Sequence, residues 1–300
     1  MAAAVTGYLK LSGPLREALA EGRPAVALET SVLAQGLPPP RNLEAAEAMD
    51  GAVRRSGAEP AWVWLKGGAV RAGATLDELR DLAGSAEAAK VARRDVPLVL
   101  AARGLGATTV SATAWAARAA GIEVAATGGI GGVHPGSADV SADLLELART
   151  PVTLVCSGPK SILDPAATVE RLDELGIAIL GYRCDRLPFF VVRDTELPLE
   201  HQAEDPNQVA RAAGVASEFG TTLLVCNPVP AEVALDGVEV AAAVEACHGR
   251  AREAEVSGKA LTPFLLQCLD EATAGRSVAA NLALLESNAA LAGEIAAAMA

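Results

Sequence analysis

The segment TPVTLVCSGPKSILDP (150–165) joins an apolar run to a Ser-Gly-Pro turn, a lysine and the start of a second element. The run over 151–156 is almost continuously apolar, which predicts a strand buried on both faces. Residues 164–175 have helical spacing, and a strand followed by a helix is the repeating unit of α/β proteins. The segment therefore predicts an α/β fold in which Lys160 lies in a loop after a strand.

The rest of the chain repeats this alternation of short apolar runs and amphipathic stretches. Strands are predicted at 25–33, 96–103, 122–127, 177–182 and 221–226, with a hairpin over 62–73 that turns at Gly67 and Gly68. Helices are predicted at 42–57 with Asn42 as N-cap, at 75–84 with a Thr75/Glu78 capping box, at 109–120, at 141–149, at 206–219 and from about 238 onward.

This order of elements predicts a three-layer α/β/α domain with a central mixed, mostly parallel sheet and a helical C-terminal region. The predicted hairpin supplies the antiparallel part of the sheet. Because no Pro- or Ser-rich linker divides the chain, we expect one continuous domain over residues 1–300.

Composition and charge exclude several classes of protein. Apolar residues make up 51% of the chain and charged residues 21%, which is enough for a core and argues against disorder. No run of about eighteen residues is apolar and free of charge and glycine, so we expect no membrane span. The N-terminus lacks the basic flank and compact apolar block of a secretory signal. A net charge of −12 disfavours a nucleic-acid surface. We therefore expect a cytoplasmic protein that binds a small molecule.

The cysteines are interpreted as buried thiols. There are five, at 156, 184, 226, 247 and 268, which is an odd number with wide spacing and no CxxC pair. Several lie in apolar runs, which is typical of reduced intracellular thiols rather than of disulfides or zinc ligands. The three histidines, at 134, 201 and 248, show no metal-binding spacing.

Unusual polar residues occur at the ends of several predicted strands. Glu29 lies late in the first strand, and Thr127 begins a glycine-rich loop after another. Ser157 to Lys160 follow the strand of the opening segment, and Asn227 follows the strand that ends at 226. In open α/β sheets the ligand binds beyond the carboxyl ends of the strands. The sequence therefore predicts a ligand crevice at this edge of the sheet.

Lys160 is a candidate nucleophile. The chain has 25 basic residues, of which five are lysines, and lysine can lose its proton where its surroundings disfavour the charge, whereas arginine does not. A neutral lysine attacks a carbonyl carbon and forms an imine. The alternative is a solvated lysine on a turn.

Glu29 is a candidate general acid. It lies within the otherwise apolar segment VALETSVL, and a buried carboxylate is unfavourable unless it is paired or coordinated. Such a carboxyl group can hold a proton and deliver it to a substrate. The alternatives are an edge-strand glutamate that faces water and a glutamate paired with arginine.

The segment TGGIGGVHPGSADVSADL (127–144) combines glycines with a histidine and two aspartates. Glycines let main-chain N–H groups approach an anion, and Ser141 at a helix start adds a hydroxyl and the positive end of the helix dipole. Asp139 and Asp143 are candidate ligands for a hard cation such as Mg²⁺ or Mn²⁺. However, GGIGG is not the GxGxxG fingerprint, and aspartates at helix starts are ordinary caps.

Two further polar residues have open roles. Lys90 is followed by arginines at 93 and 94, so it is either a phosphate contact or part of a solvated helix face. Asn281 lies early in an apolar helix, where it is either satisfied within the core or binds the edge of a base.

Seven segments of the chain are more specific together than any single motif. They are VALETSVLAQGLPPPRN, KVARRDVP, GATTVSAT, ATGGIGGVHPG, DVSADLLELARTPVTLVCSGPKSILD, GKALTPFLL and SVAANLALLESNAALA. By these segments, which occur in the family's order, the chain resembles the pseudouridine-5′-phosphate glycosidase family from about residue 12 to the C-terminus.

The resemblance implies reversible cleavage of pseudouridine 5′-phosphate to uracil and ribose 5-phosphate, a requirement for Mn²⁺ and a homotrimer. By motif, it implies that Lys160 is the nucleophile, Glu29 the proton donor and Asp139 the metal ligand. Members of the family have a few more residues between the histidine and this aspartate, which makes Asp143 the alternative ligand. The implied substrate contacts are Lys90, Val110, Thr127, His134, Ser141, Ala142, Asp143 and Asn281.

Two other functions are alternatives. One is a different lysine-imine glycosidase that acts on a related nucleotide or C-nucleoside, as in pigment biosynthesis. The other is a phosphosugar sensor that binds ribose 5-phosphate without forming an imine. The presence of both Lys160 and Glu29 argues against the sensor.

Overall fold

The computed structural model describes residues 7–136 and 139–300, apart from the side chain of residue 259. Residues 1–6, on which the expectation about a secretory signal partly rests, and residues 137 and 138 of the glycine-rich segment lie outside the described residues. Within the described residues the strands form an 11-stranded sheet. They are β1 (Leu9–Leu11), β2 (Ala25–Glu29), β3 (Glu59–Lys66), β4 (Ala69–Ala72), β5 (Ala89–Val91), β6 (Gly106–Thr108), β7 (Val124–Ala126), β8 (Thr153–Cys156), β9 (Ala178–Tyr182), β10 (Gln202–Ala203) and β11 (Leu223–Cys226).

Helices connect the strands and make up the C-terminal region. They are α1 (Gly13–Ala20), α2 (Arg41–Arg55), α3 (Leu76–Ala83), α4 (Val96–Ala101), α5 (Val110–Ala120), α6 (Ala142–Arg149), α7 (Pro165–Glu174), α8 (Pro206–Glu218), α9 (Gly237–Glu253), α10 (Leu261–Ala272) and α11 (Arg276–Met299). Shorter helical turns are a π-helix at Val32–Gly36 and 3₁₀ turns at Arg93–Asp95 and Gly258–Ala260.

The strand order is β1-β4-β3-β2-β7-β8-β11-β9-β10, and β5 and β6 form a short branch beside β3. Strand β3 pairs antiparallel with β4 and β6, and the other pairs are parallel. The sheet is therefore mixed and mostly parallel, as predicted. In the centre, Leu28 is opposite Ala126, and Ala126 is opposite Val155. Strands β2, β7 and β8 consequently end at the same edge.

Alternate residues of the central strands face two separate cores. Val26 and Leu28 belong to a core that contains residues of α2, α8 and α11, whereas Ala25 and Ala27 belong to a core that contains residues of α1, α5 and α6. Successive side chains of a strand point to opposite faces, so a strand that is apolar throughout needs helices on both sides. This arrangement confirms the three-layer α/β/α architecture.

Helix α11 is long and apolar enough to cross a membrane, judged by length and composition alone. Half of its most apolar window is buried inside the protein, where Leu284, Leu285 and Ile295 are fully buried. A helix that is apolar over most of its surface is also typical of a protein core, and α11 packs against α2, α8 and the sheet. This packing accounts for its composition.

Two predicted strands differ from the structure. The run 96–103 is not a strand, because its first six residues form α4. Pro97 lies in the first turn of this helix, where its missing N–H loses no hydrogen bond, and a short apolar run does not distinguish a strand from a helix. The strand predicted over 25–33 ends at Glu29, after which the chain turns into the π-helix.

Local signals at the ends of elements were more reliable. Thr75 and Glu78 form the predicted capping box of α3, and the β3–β4 hairpin turns at Gly67 and Gly68, whose φ angles are 64° and 83°.

The prediction of Asn42 as a helix cap is wrong, because α2 begins at Arg41 and Asn42 lies in its first turn. The Asn42 side chain instead donates to the carbonyl of Leu33 at 3.0 Å.

Cys247 on α9 and Cys268 on α10 form a disulfide bond. This corrects the interpretation of all five cysteines as thiols. The two helices pack against each other and bring the two Cα atoms within 5.8 Å across a sequence separation of 21 residues. Cys156, Cys184 and Cys226 are free thiols, as predicted.

Candidate active site

A pocket of about 210 Å³ lies beyond the carboxyl ends of the central parallel strands. Glu29 from the end of β2, the glycine loop after β7 and Lys160 from the loop after β8 contribute to its wall. The crevice predicted from the sequence is therefore present. The predicted site residues that line it are Glu29, Lys90, His134, Asp139, Ser141, Ala142, Asp143, Lys160 and Asn281.

The carboxyl group of Glu29 is buried and is held by two hydroxyl groups. The residue is 5% exposed. Ser31 Oγ donates to Oε2 at 2.8 Å, and Thr127 Oγ1 donates to Oε1. Thr127 thus lies behind Glu29 rather than in the pocket wall. Burial excludes the water-facing alternative, and among the described residues Glu29 has no arginine partner.

Lys160 is half-buried against the glycine loop. Its Nζ donates to the carbonyl of Gly129 at 2.7 Å, and its main-chain N–H donates to the carbonyl of Ile130 at 3.1 Å. The lysine is therefore not a solvated turn residue. Its amine and the Glu29 carboxyl belong to the same pocket.

The loop that carries Lys160 is fixed by close main-chain contact. Gly158 has a φ of 76°, and a Cβ atom there would lie 1.8 Å from the carbonyl oxygen of Pro188. Only glycine fits such a position. Ser157 N–H donates to Gly128 O at 2.8 Å, and Ile130 N–H donates to Gly158 O at 3.0 Å. The parallel pairing of β7 and β8 thus continues past the strand ends and holds the two loops together.

Asp143 anchors the glycine loop to the start of α5. Its Oδ1 accepts from Ser111 N–H at 3.0 Å, and its Oδ2 accepts from Gly131 N–H at 3.1 Å. Ser141 is the N-cap of α6, and a Cβ atom on Gly131 would lie 2.1 Å from Ser141 Oγ. Gly131 is therefore needed for close packing. Its N–H is bonded to Asp143, so it is not the anion contact that the glycine pattern suggested.

His134 and Asp139 face the pocket from the loop before α6. The main-chain N–H of His134 donates to the carbonyl of Asp139 at 3.1 Å. Burial lowers the pKa of His134, a shift that His248 and Lys90 reinforce and that Asp139 opposes. The imidazole Nδ1 is buried without a hydrogen-bond partner. His134 therefore presents an unsatisfied ring nitrogen, which a ligand would stabilise.

The pocket wall contains basic groups and the starts of two helices. Lys90 lies on β5, not on a helix face. Arg94 and Lys160 line the pocket with it. Thr109 and Ser141, the residues that precede α5 and α6, also line the pocket. Val110, a predicted substrate contact, is buried at the start of α5 and does not line the pocket. Positive groups and helix N-termini suit a small anion in a protein of net charge −12.

Two side-chain carbonyl groups in the wall are also unsatisfied. Asn281 from α11 is 7% exposed, and its Oδ1 is buried without a partner. The Oε1 of Gln35 is also buried without a hydrogen-bond partner. The Gln35 amide nitrogen donates to Ala88 O at 2.8 Å. Sequence reasoning missed Gln35, whose only signal is a polar residue within an apolar run.

Asn288 on α11 is a second residue that sequence reasoning missed. It is fully buried, and its Nδ2 donates to Thr127 O at 2.8 Å and to Ser157 Oγ at 3.1 Å. Its Oδ1 accepts from Asn227 at 2.9 Å. Asn288 thus joins the chain beyond the ends of β7, β8 and β11. Asn227, predicted to face the crevice, is part of this buried network instead.

The donors around Asp139 fit a hard cation only if water supplies most of the ligands. Among residues 7–136 and 139–300 there is no group of three His, Cys, Asp or Glu side chains placed to hold a metal. Asp139 lines the pocket. Asp143 is the weaker candidate, because each of its oxygens already accepts a main-chain N–H. A single carboxylate with several waters is a known mode for Mg²⁺-like ions.

Comparison with known proteins extends over almost the whole chain. Residues 14–298 match the family described as Indigoidine synthase A like protein. A pseudouridine-5′-phosphate glycosidase of Symbiobacterium thermophilum is 46% identical, with 97% of each chain covered. One of Sorangium cellulosum is 44% identical and covers 98% of this chain and 95% of that relative.

A solved structure shows the same fold. The prealnumycin C-glycosynthase AlnA, crystallised with ribulose 5-phosphate, is 38% identical and has a TM-score of 0.89. The similarity covers 97% of this chain and 96% of AlnA. Together with the buried carboxyl and the pocket lysine, these matches identify the chain as an enzyme that belongs to the pseudouridine-5′-phosphate glycosidase family.

Proposed function

We propose that the protein reversibly cleaves the C–C glycosidic bond of pseudouridine 5′-phosphate to give uracil and ribose 5-phosphate, in pseudouridine catabolism. The observation that carries the proposal is that Lys160 and the buried Glu29 line one pocket at the carboxyl ends of the central strands. Two relatives at 44% and 46% identity are named pseudouridine-5′-phosphate glycosidase, which supports the proposal.

The chemistry explains why a lysine is needed. The leaving atom is uracil C5, and a carbon departs poorly without help. In the proposed first step neutral Lys160 bonds to C1′ while the C1′–O4′ bond breaks, and O4′ takes up the proton that the attacking nitrogen loses. The nitrogen lone pair then forms a C=N bond as the C1′–C5 bond breaks. Covalent catalysis of this kind divides one difficult step into easier ones.

Glu29 acts in the second of these steps. The electron pair of the C1′–C5 bond passes to uracil C5, which takes the proton of the Glu29 carboxyl. Water then hydrolyses the iminium, releases ribose 5-phosphate and regenerates the lysine. A positioned general acid typically contributes about 10²–10⁴-fold to the rate. The position of Glu29 supports this role, because its carboxyl is buried away from bulk water and lines the pocket.

The remaining lining residues would bind and orient the substrate. We assign the 5′-phosphate to Lys90 and the helix start at Ser141, because both line the pocket and both suit an anion. The unpaired polar atoms of His134 and Asn281 are suited to hydroxyl or base groups. Binding of the phosphate would hold C1′ near Lys160 and lower the entropic part of the barrier.

We also propose that Mn²⁺ is the cofactor and that the enzyme is a homotrimer, as family membership suggests. Asp139, with water, would hold the ion, which when bound would supply positive charge that orders water and substrate. Light scattering after size-exclusion chromatography measures the assembly, and an elution mass of one chain would contradict the trimer.

Two measurements test the proposed activity. Protein, Mn²⁺ and pseudouridine 5′-phosphate should release uracil, detected by chromatography. Borohydride with ribose 5-phosphate should add the mass of a reduced sugar to the peptide that contains Lys160. A sugar label on another lysine, with Lys160 unmodified, would refute the nucleophile. Binding of ribose 5-phosphate without any reduced adduct would instead favour a sensor.

A second candidate is C-glycoside formation on another aromatic acceptor, which the similarity to AlnA supports. The higher identity of the glycosidase relatives favours pseudouridine 5′-phosphate. A panel of C-nucleoside phosphates, assayed in both directions, separates the two. A larger kcat/KM for another aglycone would overturn the choice of substrate.

A further inference from the structure

We propose that Ser31 is a positioning residue that keeps the Glu29 carboxyl aimed into the pocket both before and after it gives up its proton. The inference rests on the proposed function, because it assigns a residue that serves the acid of that reaction. Ser31 lines the same pocket as Glu29.

The chain direction at the end of β2 brings Ser31 to Glu29. Strand β2 ends at Glu29, and Ser31 already has helical backbone angles (φ −64°, ψ −27°) where the π-helix begins, so the turn after the strand places its side chain beside the Glu29 carboxyl. Ser31 Oγ donates to Glu29 Oε2 at 2.8 Å. The hydroxyl of Thr30 is directed elsewhere and donates to Val63 O at 2.7 Å. Of these two adjacent hydroxyls, Ser31 is the one that contacts the acid.

Asp143 and Glu29, the two buried carboxyl groups of the pocket, differ in the type of their hydrogen-bond partners. Asp143 accepts main-chain N–H groups from Ser111 and Gly131. An N–H group only donates, so neither of these partners could accept a hydrogen bond from a protonated Asp143. Glu29 is bonded to the hydroxyls of Ser31 and Thr127. A hydroxyl donates one hydrogen bond and accepts others, so it remains bonded whether Glu29 is ionised or protonated.

This difference matters for a group that must pass through both states. A general acid loses its proton at the reacting carbon and regains it before the next turnover. If a partner bonded only one state, the carboxyl would turn away in the other, and misalignment of a catalytic group is costly in rate. Thr127 holds Oε1 from the buried side, and Ser31 holds Oε2 at the pocket wall. Removal of Ser31 would leave the carboxyl fixed at one oxygen only.

The test compares Ser31→Ala with Ser31→Thr, which keeps the hydroxyl. For Ser31→Ala we expect kcat for uracil release to fall about 10–100-fold, part of the usual contribution of a general acid, while KM changes less than about threefold. Ser31→Thr should restore kcat to within about threefold of the wild type. An unchanged kcat in Ser31→Ala, or no recovery in Ser31→Thr, would overturn the proposal.

A double-mutant cycle shows whether Ser31 acts through Glu29. Glu29→Gln/Ser31→Ala should be no slower than Glu29→Gln alone, because the acid that Ser31 positions is already absent. Additive losses would contradict a positioning role. Borohydride trapping of ribose 5-phosphate on Lys160 should proceed at the wild-type rate in Ser31→Ala, since that step does not use the Glu29 proton. If the trapping rate fell by the same factor as kcat, Ser31 would act on the whole pocket and the inference would be refuted.

Failure of the inference and failure of the proposed function give different results. A wild-type protein that releases no uracil overturns the function itself. A wild-type protein that releases uracil, with Ser31→Ala equally active, overturns only the role of Ser31. Thermal unfolding of each variant, with a melting temperature within a few degrees of the wild type, confirms that the kinetic comparison is made on folded protein.

Discussion

The side-chain amide of Asn288 donates to the main-chain carbonyl of Thr127 at 2.8 Å. This bond joins the last helix to the start of the glycine loop, across 161 residues of sequence. Thr127 in turn donates its hydroxyl to Glu29. Glu29, the proposed acid, is therefore linked to α11 through Thr127, which does not line the pocket.

Replacement of Asn288 by alanine should lower the free energy of unfolding by about 2–4 kcal/mol, because it leaves several buried polar groups without partners. Urea unfolding measures the effect. The matched control is Asn207→Ala on the exposed start of α8, which should change the value by less than about 0.5 kcal/mol. An Asn288→Ala protein as stable as this control would mean that water replaces the lost bonds.

Lys160→Arg should be as inactive as Lys160→Ala. Arginine keeps the charge and much of the length but stays protonated, so it cannot bond to C1′. Both variants should retain the circular dichroism spectrum of the wild type, because Lys160 is half-buried at a pocket wall and not in the core. Measurable turnover by the arginine variant would show that Lys160 binds the substrate and is not the nucleophile.

Glu29→Gln should bind ribose 5-phosphate and uracil but fail to cleave the C-glycoside. Glutamine is nearly isosteric and can still bond to Ser31 and Thr127, but it carries no acidic proton. We expect kcat to fall at least about 100-fold and the dissociation constant for ribose 5-phosphate, from calorimetry, to stay within a few-fold. A rate near that of the wild type would remove Glu29 from the mechanism.

The two candidate metal ligands should differ in their effects. Asp139→Ala should weaken activation by Mn²⁺ and leave the melting temperature almost unchanged. Asp143→Ala should lower stability by about 1–3 kcal/mol, because the N–H groups of Ser111 and Gly131 lose their buried acceptor. Titration of Mn²⁺ against activity, with parallel thermal unfolding, distinguishes them. If Asp143→Ala alone abolishes the response to Mn²⁺, Asp143 is the ligand.

Thiol counts test the disulfide between α9 and α10. Unfolded protein should show three thiols before reduction and five after it, since Cys156, Cys184 and Cys226 are free. Folded protein should react slowly with a thiol reagent at pH 8. Burial raises the pKa of Cys184 to about 11, so little reactive thiolate is present at that pH, and Cys156 and Cys226 are buried. Five thiols in the unreduced, unfolded protein would contradict the bond.

Local sequence patterns predicted most of the fold. Apolar runs marked β2, β7, β8, β9 and β11, and capping residues marked the starts of α3 and α6. The error at 96–103 has a physical cause, because an apolar run of this length is buried equally well as a strand or as a helix. In the structure its first six residues form α4, which contacts β3.

The sequence alone predicted the alternation of the central strands and helices, the edge at which those strands end, and the candidate pair Lys160 and Glu29. These follow from periodicity and residue type, which are local properties of the chain. Only the tertiary structure decided which side chains meet: Ser31 and Thr127 at Glu29, Asn288 beneath the glycine loop, and Cys247 beside Cys268. Most of these contacts join distant parts of the chain, and they depend on how helices and strands pack, which no local pattern encodes.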